Sequence, residues 1–244
     1  MTKKQIEKLE SVDVLFLRRL FNVASSCPRE ALYLETGCLP LGYIIIQRRL
    51  NYLYPIVTLN QSEMLCKFFS TQWFNPCKND WTEQVKENLD KYGIDRDISE
   101  IKKMKREKFK ELIKERTRYL AFTNMIQLKD IHSKMKNLNY LELKMQNYLM
   151  CNDISVNQAR LIFKTRCRMT TYWNNFKGHN LTQNCPVYKE DDTVDDQRHS
   201  FRCKVILDNV SVVGSLEDSY QEDSIYAGVA QTIERIEKFR ENYL

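Results

Sequence analysis

Glycine and proline are scarce in this sequence of 244 residues, which contains six and five of them respectively. Sandwiches and barrels need frequent turns rich in these residues, so their scarcity argues against both fold types. Leu, Lys and Glu are abundant instead and favour helices. We therefore predict an all-α protein with a multi-helix domain, an irregular segment and a C-terminal helix, divided at residues 1–180, 181–213 and 214–244.

Long apolar runs are also missing. None approaches the roughly 20 residues of a membrane-spanning helix, and the opening Met-Thr-Lys-Lys-Gln does not resemble a secretory signal. The eight cysteines lack the close-spaced pairs of a disulfide framework. These absences predict an intracellular protein, nuclear or cytoplasmic, with reduced thiols and no membrane contact.

Charge is unevenly distributed along the chain. The net charge is +6, but residues 190–223 carry −7, which leaves +13 on residues 1–189. A basic surplus of this size attracts polyanions, of which nucleic acid is the commonest inside cells. The alternative is a solvated, lysine-rich surface without a ligand.

Residues 31–55 read as two helices that meet at a Leu-Pro corner. Gly37 suits the left-handed conformation that ends the first helix. The second helix, at 41–53, is apolar around most of its circumference, which predicts a buried position at the centre of the domain. Polar residues interrupt the apolar surface of this helix at one point, where Arg48 and Arg49 are predicted to form a basic patch.

The most basic stretch is a long helix predicted to begin after Ser99. Residues 102–114 contain seven Lys or Arg against two Glu. Such a face can follow a phosphate backbone and position a polynucleotide without reading its sequence. Its basic residues are Lys102, Lys103, Lys105, Arg106, Lys108, Lys110 and Lys114. The alternative is a solvated face partly balanced by Glu107 and Glu111.

A capping box at Ser155 predicts a further helix, on which Arg166 and Arg168 form a broader basic surface. Helical periodicity also predicts a helix at 138–150, and alternating β-branched residues predict a short strand within 204–213.

The two ends of the chain are each predicted to form an amphipathic helix. A first helix carries an apolar face of Ile6, Leu9, Val12, Phe16, Leu20 and Val23. The last helix spans 225–243, and its apolar face needs a partner, which is either the helical domain or a second copy of the chain.

Residues 31–53 combine Ala-Leu-Tyr-Leu-Glu-Thr-Gly-x-Leu-Pro, an apolar run and Arg-Arg-Leu-x-Tyr-Leu. This order resembles the region downstream of the polymerase core in non-LTR (LINE-like) retrotransposon reverse transcriptases. The basic helix near Lys102 and the segments at 161–169 and 185–203 extend the resemblance over nearly the whole chain. It implies a C-terminal, post-polymerase fragment that binds RNA or DNA and follows a polymerase core.

The resemblance includes a degenerate zinc knuckle. Three ligand-type residues remain in it, Cys185, His199 and Cys203. A structural zinc site needs four Cys or His ligands, and Tyr188 replaces the second cysteine, so His179 or Cys167 would have to supply the fourth. We predict no bound cofactor, with zinc on this incomplete set as the alternative.

No catalytic constellation is apparent. The pairs Asp191-Asp192 and Asp195-Asp196 lie in a polar loop, whereas a two-metal polymerase site needs carboxylates held rigidly in a β-hairpin. The sequence also lacks a Ser-His-Asp order, a glycine-rich phosphate loop and an HExxH helix. We therefore predict a non-enzymatic fragment without the polymerase aspartates.

The predicted function is to hold RNA or an RNA–DNA duplex by its backbone. The predicted contacts are Arg48, Arg49, the basic residues at 102–114, Arg166 and Arg168. The alternative is a domesticated or decayed remnant that acts as a structural or protein-interaction domain, with self-association through the C-terminal helix.

Overall fold

The structure is a computed structural model that describes residues 3–60, 63–75, 77, 80–135, 138–170, 184–188, 194, 196–220 and 226–243. Within these residues the secondary structure is mostly helical, and no sheet is present. The predicted all-α class is confirmed. None of the described helices is long and apolar enough to cross a membrane.

Twelve α-helices follow one another along the described residues. They are α1 (Lys3–Phe21), α2 (Arg29–Thr36), α3 (Leu41–Val57), α4 (Met64–Phe74), α5 (Trp81–Lys91), α6 (Ile98–Lys103), α7 (Arg106–Ile131), α8 (Asn147–Met150), α9 (Val156–Arg166), α10 (Gln197–Ser200), α11 (Lys204–Asn209) and α12 (Tyr226–Glu241). The described residues also include two short 3-10 helices, at Ser133–Met135 and Glu217–Tyr220.

Local sequence signals define several helix ends. Gly37 follows α2 with a φ of +67°, which confirms the predicted left-handed end. The capping box before α9 is also confirmed, since the Ser155 hydroxyl accepts from the Gln158 N–H and the Gln158 side chain accepts from the Ser155 N–H.

The chain divides into two compact units. Unit 1 comprises Met1–Ser11 and Leu39–Asn124, and unit 2 comprises Val12–Cys38 and Met125–Leu244. This division differs from the predicted boundaries after residues 180 and 213, because segments far apart in sequence pack together within each unit.

Unit 1 is built around the second half of α3. Leu50, Leu53 and Val57 are almost completely buried and pack with apolar residues of α4, α5, α6 and α7. The first half of α3 is only half-buried, and the helix continues through Pro55, beyond the predicted end at residue 53. The predicted central helix is therefore confirmed, with its buried part shifted toward its C-terminal end.

Unit 2 contains α12, whose main packing partners are α9 and the 3-10 helix at Glu217–Tyr220. Val229, Ile233 and Ile236 on its apolar face are buried. This face is covered within the chain, so the physical reason for predicting self-association through it no longer holds.

The basic stretch forms two helices instead of one. The Asp97 side chain accepts from the Ser99 N–H and caps α6, so the helix begins before the predicted Ser99 cap. Met104 is extended, with ψ of 148°, and separates α6 from α7. Its carbonyl accepts a hydrogen bond of 2.7 Å from the Tyr54 hydroxyl, which stabilises the break.

The predictions for 138–150 and 204–213 are wrong. Only the last four residues of the first segment are helical, because the Gln146 N–H donates to the Glu35 carbonyl of another segment instead of a helical carbonyl. In the second segment α11 replaces the predicted strand. Ile206 is buried on one side of this helix, and the N–H of Val210, the extended residue that follows it, donates to the Ile206 carbonyl at 2.8 Å.

The predicted apolar face of α1 is also wrong. Val14, Leu17 and Phe21 are the buried residues of this helix, whereas Val12 and Phe16 are 64% and 63% exposed. The helix carries apolar residues on two sides, and only one side faces the core.

Candidate functional site

Two cysteines and a histidine of unit 2 lie together. One ligand atom from each of Cys185, His199 and Cys203 lies within 4.8 Å of the others. Both cysteines are buried, and His199 is half-buried. Thiolates and imidazoles are the usual ligands of structural metal sites, so these three residues can hold a metal ion.

Short local elements position the three ligands. Cys185 follows Asn184, which forms an isolated bridge with Val194. His199 lies in the single turn of α10, where its backbone N–H donates to the capping Asp196 carboxylate at 2.7 Å. Cys203 is the residue before α11 and directs its side chain toward the first turn of that helix.

The ligand cluster is buried in an apolar environment. Burial raises the pKa of the Cys203 thiol, although the backbone N–H groups of Ile206 and Val205 favour the thiolate. His199 Nε2 is buried and has no hydrogen-bond partner among the described residues. A buried polar atom without a partner is costly, and a metal ion at this position would satisfy it. The donor set therefore fits a bound metal.

The described residues supply three ligands and no fourth. Cys167, one predicted fourth ligand, is buried elsewhere. Burial and then the neighbouring thiol of Cys27 raise the pKa of Cys167. His179, the other predicted fourth ligand, lies outside the described residues. Tyr188 packs against the apolar cluster that surrounds Cys185 and Cys203.

The predicted basic stretch forms an exposed cationic surface of unit 1. We call it the α6–α7 basic surface, and it consists of Lys102, Lys103, Lys105, Arg106, Lys108, Lys110 and Lys114, all exposed. Lys103 pairs with Glu100 at 2.6 Å, and Lys114 pairs with Glu111 at 3.3 Å. The side chains of the other five form no hydrogen bond or ion pair with any described residue.

The basic residues of α7 do not all point one way. Arg106, Lys110 and Lys114 recur at every fourth position and therefore share one side of the helix. Lys108 is about 200° around the axis from Lys110, on a different side. Such a surface can contact a phosphate backbone along one line of α7.

Arg48 and Arg49 differ in exposure although they are adjacent in α3. Arg48 is exposed, whereas Arg49 is half-buried and burial lowers its pKa. The helix α3 packs against α6. Only Arg48 of this pair presents its guanidinium freely to solvent.

The prediction that Arg166 contacts phosphate is wrong. Its side chain is 2% exposed and donates from Nε to the fully buried Glu35 carboxylate at 2.8 Å. Tyr140 donates to the same carboxylate, and Arg166 also donates to the Ser219 carbonyl. A buried arginine with these partners cannot reach a polyanion.

Sequence reasoning missed the role of Glu35. The signal was present, since Glu35 directly follows the apolar residues 31–34, and every residue of α2 from Glu30 to Thr36 is buried. A fully buried carboxylate needs a cation as partner. Periodicity alone could not show that this cation lies 131 residues away.

Comparisons with protein-family models, with curated proteins and with solved structures returned no match for this chain.

Proposed function

We propose that this protein binds RNA or an RNA–DNA duplex without catalysing a reaction. The observation that carries the proposal is the α6–α7 basic surface, where Lys102, Lys105, Arg106, Lys108 and Lys110 have no anionic partner among the described residues. Internal carboxylates pair only with Lys103 and Lys114 of this surface, as far as the described residues extend. Unpaired surface cations gain most from a polyanion, because binding releases condensed counterions.

The proposed binding is to the phosphate backbone. Lysine and arginine side chains on a helix surface position a duplex, whereas sequence is read by base-edge contacts. We propose that the chain corresponds to the post-polymerase region of a non-LTR retrotransposon reverse transcriptase, which residues 31–53, 161–169 and 185–203 resemble. RNA or an RNA–DNA duplex is the ligand that this correspondence favours.

Charge reversal on this surface is expected to lower RNA affinity by about 100-fold at low salt. The variant replaces four of the unpaired residues by glutamate: Lys102, Lys105, Arg106 and Lys110. The slope of log affinity against log salt is expected to become shallower by about 0.7–0.9 for each phosphate that the variant no longer neutralises. Fluorescence anisotropy with an RNA hairpin and with an RNA–DNA duplex, over a salt series, measures both quantities.

A matched control reverses four other exposed charges of unit 1: Lys4, Lys8, Lys67 and Lys91. It changes the net charge equally and should lose much less affinity. Equal losses in the two variants would mean that only overall charge matters. Unchanged affinity in the first variant would refute the proposed surface.

We further propose that the ion held by Cys185, His199 and Cys203 is zinc. Zinc accepts thiolate and imidazole ligands in structural sites and shows no redox chemistry. The three ligands come from three successive short elements of unit 2, so a bound ion would tie these elements together. The ion would complete the local fold and take no part in a reaction.

Replacing Cys203 by serine is expected to lower zinc affinity by at least about 100-fold, because losing a direct ligand should exceed the 10–100-fold cost of losing a neighbouring group. Competition with a chromophoric chelator measures the affinity, and elemental analysis measures the zinc content. Cys151→Ser is the control, since Cys151 is outside the cluster. Equal zinc content in wild type and Cys203→Ser would contradict the site.

The second candidate function is a protein-interaction domain. It is favoured by the second apolar face of α1, where Val12, Phe16 and Leu20 recur every four residues and are 44–64% exposed. Single exposed apolar side chains need no explanation, but a row of them on one helix often marks a contact surface. No RNA binding by the folded wild type at low salt would favour this second candidate.

A further inference from the structure

The solvent-facing side of α1 carries a row of apolar side chains, all of them within unit 2. We call it the α1 row, and it consists of Val12, Leu15, Phe16 and Leu20, which are 44–64% exposed. With 3.6 residues in each turn, these four positions fall within about 140° of the helix circumference and extend for about 12 Å along its axis. An apolar stripe of these dimensions fits the apolar side of a second helix.

Three arginines of unit 2 lie near the C-terminal end of α1. Arg18 donates to the Cys27 carbonyl at 2.9 Å, and Arg160 of α9 donates to the Leu20 carbonyl at 2.7 Å. The other described partner of Arg160 is a neutral amide oxygen. Arg19 is exposed and forms no side-chain hydrogen bond or ion pair with any described residue. Because no described carboxylate pairs with these three guanidinium groups, their positive charge is not compensated within the described part of the chain.

One carboxylate of α1 borders the row, on the side away from Arg19. Asp13 is half-buried and accepts a hydrogen bond of 2.9 Å from the Tyr33 hydroxyl. On the helix circumference it lies about 120° from Arg19. The charges along the α1 row are therefore asymmetric, with the positive charges on one side and at the end of the helix.

This combination of apolar and positive groups favours one kind of occupant. A phosphate backbone offers no apolar groups to pack on Val12 or Phe16. A second copy of the chain would bring the same uncompensated guanidinium groups to the contact, where like charges repel. An anionic lipid surface would face Asp13 as well as the arginines, whereas a protein helix can carry its charges on one side. An acidic amphipathic helix matches both the apolar row and the arginines.

We infer that the α1 row binds an acidic amphipathic helix of another protein. The apolar stripe of that helix packs on the row, and its carboxylates face the three arginines. Phe16 is the largest side chain of the row and lies near its middle, so it is the expected anchor of the contact. The inference rests on the second candidate function, which it deepens by naming the chemistry of the partner, and it does not depend on RNA binding.

Selection from a phage library of amphipathic helical peptides tests the inference on the full chain. The library keeps leucine at helical spacing over roughly 18 residues, which is long enough to form a helix, and randomises the positions beside the leucines. Peptides that the wild type retains are counter-selected on Phe16→Ser. We expect the remaining peptides to be enriched in Asp and Glu over Lys and Arg at the randomised positions.

Fluorescence anisotropy with the most enriched peptide measures the apolar and the charged contributions separately. Phe16→Ser and Arg19→Glu are each expected to weaken binding at least tenfold. Phe68→Ser is the matched apolar control, since Phe68 lies on α4 and is 61% exposed against 63% for Phe16. Arg106→Glu, on the α6–α7 basic surface, changes the net charge as Arg19→Glu does. Both controls should bind the peptide like wild type.

Each alternative gives a different result. Peptides that depend on Phe16 but show no acidic excess would refute the acidic partner and leave the second candidate function standing. If no peptide depends on Phe16, both are refuted. A dimer in sedimentation equilibrium that Phe16→Ser dissociates would show that a second copy occupies the row. Phe16-dependent binding to phosphatidylserine vesicles would show that a lipid surface does, and either result would overturn the inference.

The RNA experiment is separate from this one. Phe16→Ser should bind RNA like wild type, and the glutamate variant of the α6–α7 basic surface should bind the peptide like wild type. Failure of RNA binding therefore leaves the inference about the α1 row standing, and the converse also holds.

Discussion

Replacing Arg166 by methionine is expected to lower the free energy of unfolding by about 3–5 kcal/mol, because it leaves the Glu35 carboxylate charged and buried without its cation. Arg166 and Glu35 are 2% and 0% exposed. Glu35 would keep only the hydrogen bond from Tyr140 among the contacts described for its side chain. Urea denaturation followed by circular dichroism measures the loss.

The environment of Arg166 accounts for the size of this effect. Burial alone lowers the pKa of Arg166, but the Glu35 carboxylate and the two neighbouring tyrosines outweigh burial and leave the pKa raised. Burial, followed by the same carboxylate, raises the pKa values of Tyr140 and Tyr148. The Tyr148 ring also lies 5.7 Å from the guanidinium carbon. Arg166 therefore stays charged, both tyrosines stay neutral, and the cluster holds α2 against α9.

A double variant and an exposed pair provide the controls. Glu35→Leu with Arg166→Met should lose less stability than the sum of the two single variants, because no unpaired charge remains buried. Lys238→Met breaks the exposed pair with Glu234, which has the same 2.8 Å separation, and should cost under about 1 kcal/mol. A loss below about 1 kcal/mol in Arg166→Met would contradict the buried pair.

The ends of a helix could be predicted from the sequence wherever a capping residue next to the helix determines them. The glycine after α2 and the serine before α9 act within one helical turn, and both are placed as predicted. The break between α6 and α7 was not predictable in this way. It depends on the Tyr54 hydroxyl reaching the Met104 carbonyl from 50 residues away. Local pattern gives the helical class, and long-range contacts decide where a helix is interrupted.

Apolar periodicity identified α1 as a helix but selected the wrong face. Val12, Phe16 and Leu20 have regular helical spacing, and so do Val14, Leu17 and Phe21. A helix with two apolar sides satisfies either pattern, and only the position of the remaining chain selects the buried one. The same limit applies to the basic residues, because a sequence shows that Arg166 is charged but not that Glu35 neutralises it in the interior.

The candidate sites differ in how much could be predicted. The cysteine and histidine ligands were predicted from the resemblance to a degenerate zinc knuckle, and the structure brings all three together. A cavity lined by Arg168, Asp196 and Glu217 could not be inferred, because these residues lie on separate segments that only the folded chain brings together.

Replacing Gly37 by alanine is expected to lower the free energy of unfolding by roughly 3 kcal/mol, combining the strain of a left-handed residue with overpacking. Gly37 has a φ of +67°, and a Cβ there would lie less than 3.0 Å from the backbone atoms of Lys144 and Met145. Backbone cannot rotate aside as a side chain can. The segment is also held in place, since Gln146 donates to the Glu35 carbonyl at 3.0 Å. Urea denaturation measures the change.

Gly93→Ala separates the two contributions. Gly93 has a similar φ of +62°, but a Cβ there would meet no atom within 4 Å, so only backbone strain of about 1 kcal/mol is expected. The difference between the two alanine variants isolates the cost of pushing residues 144–145 away from the end of α2. If the two variants lose equal stability, the close approach at Gly37 does not exist in solution. A larger loss at Gly37 would show that this glycine is required because the chain at residues 144–146 packs directly on the helix that carries Glu35.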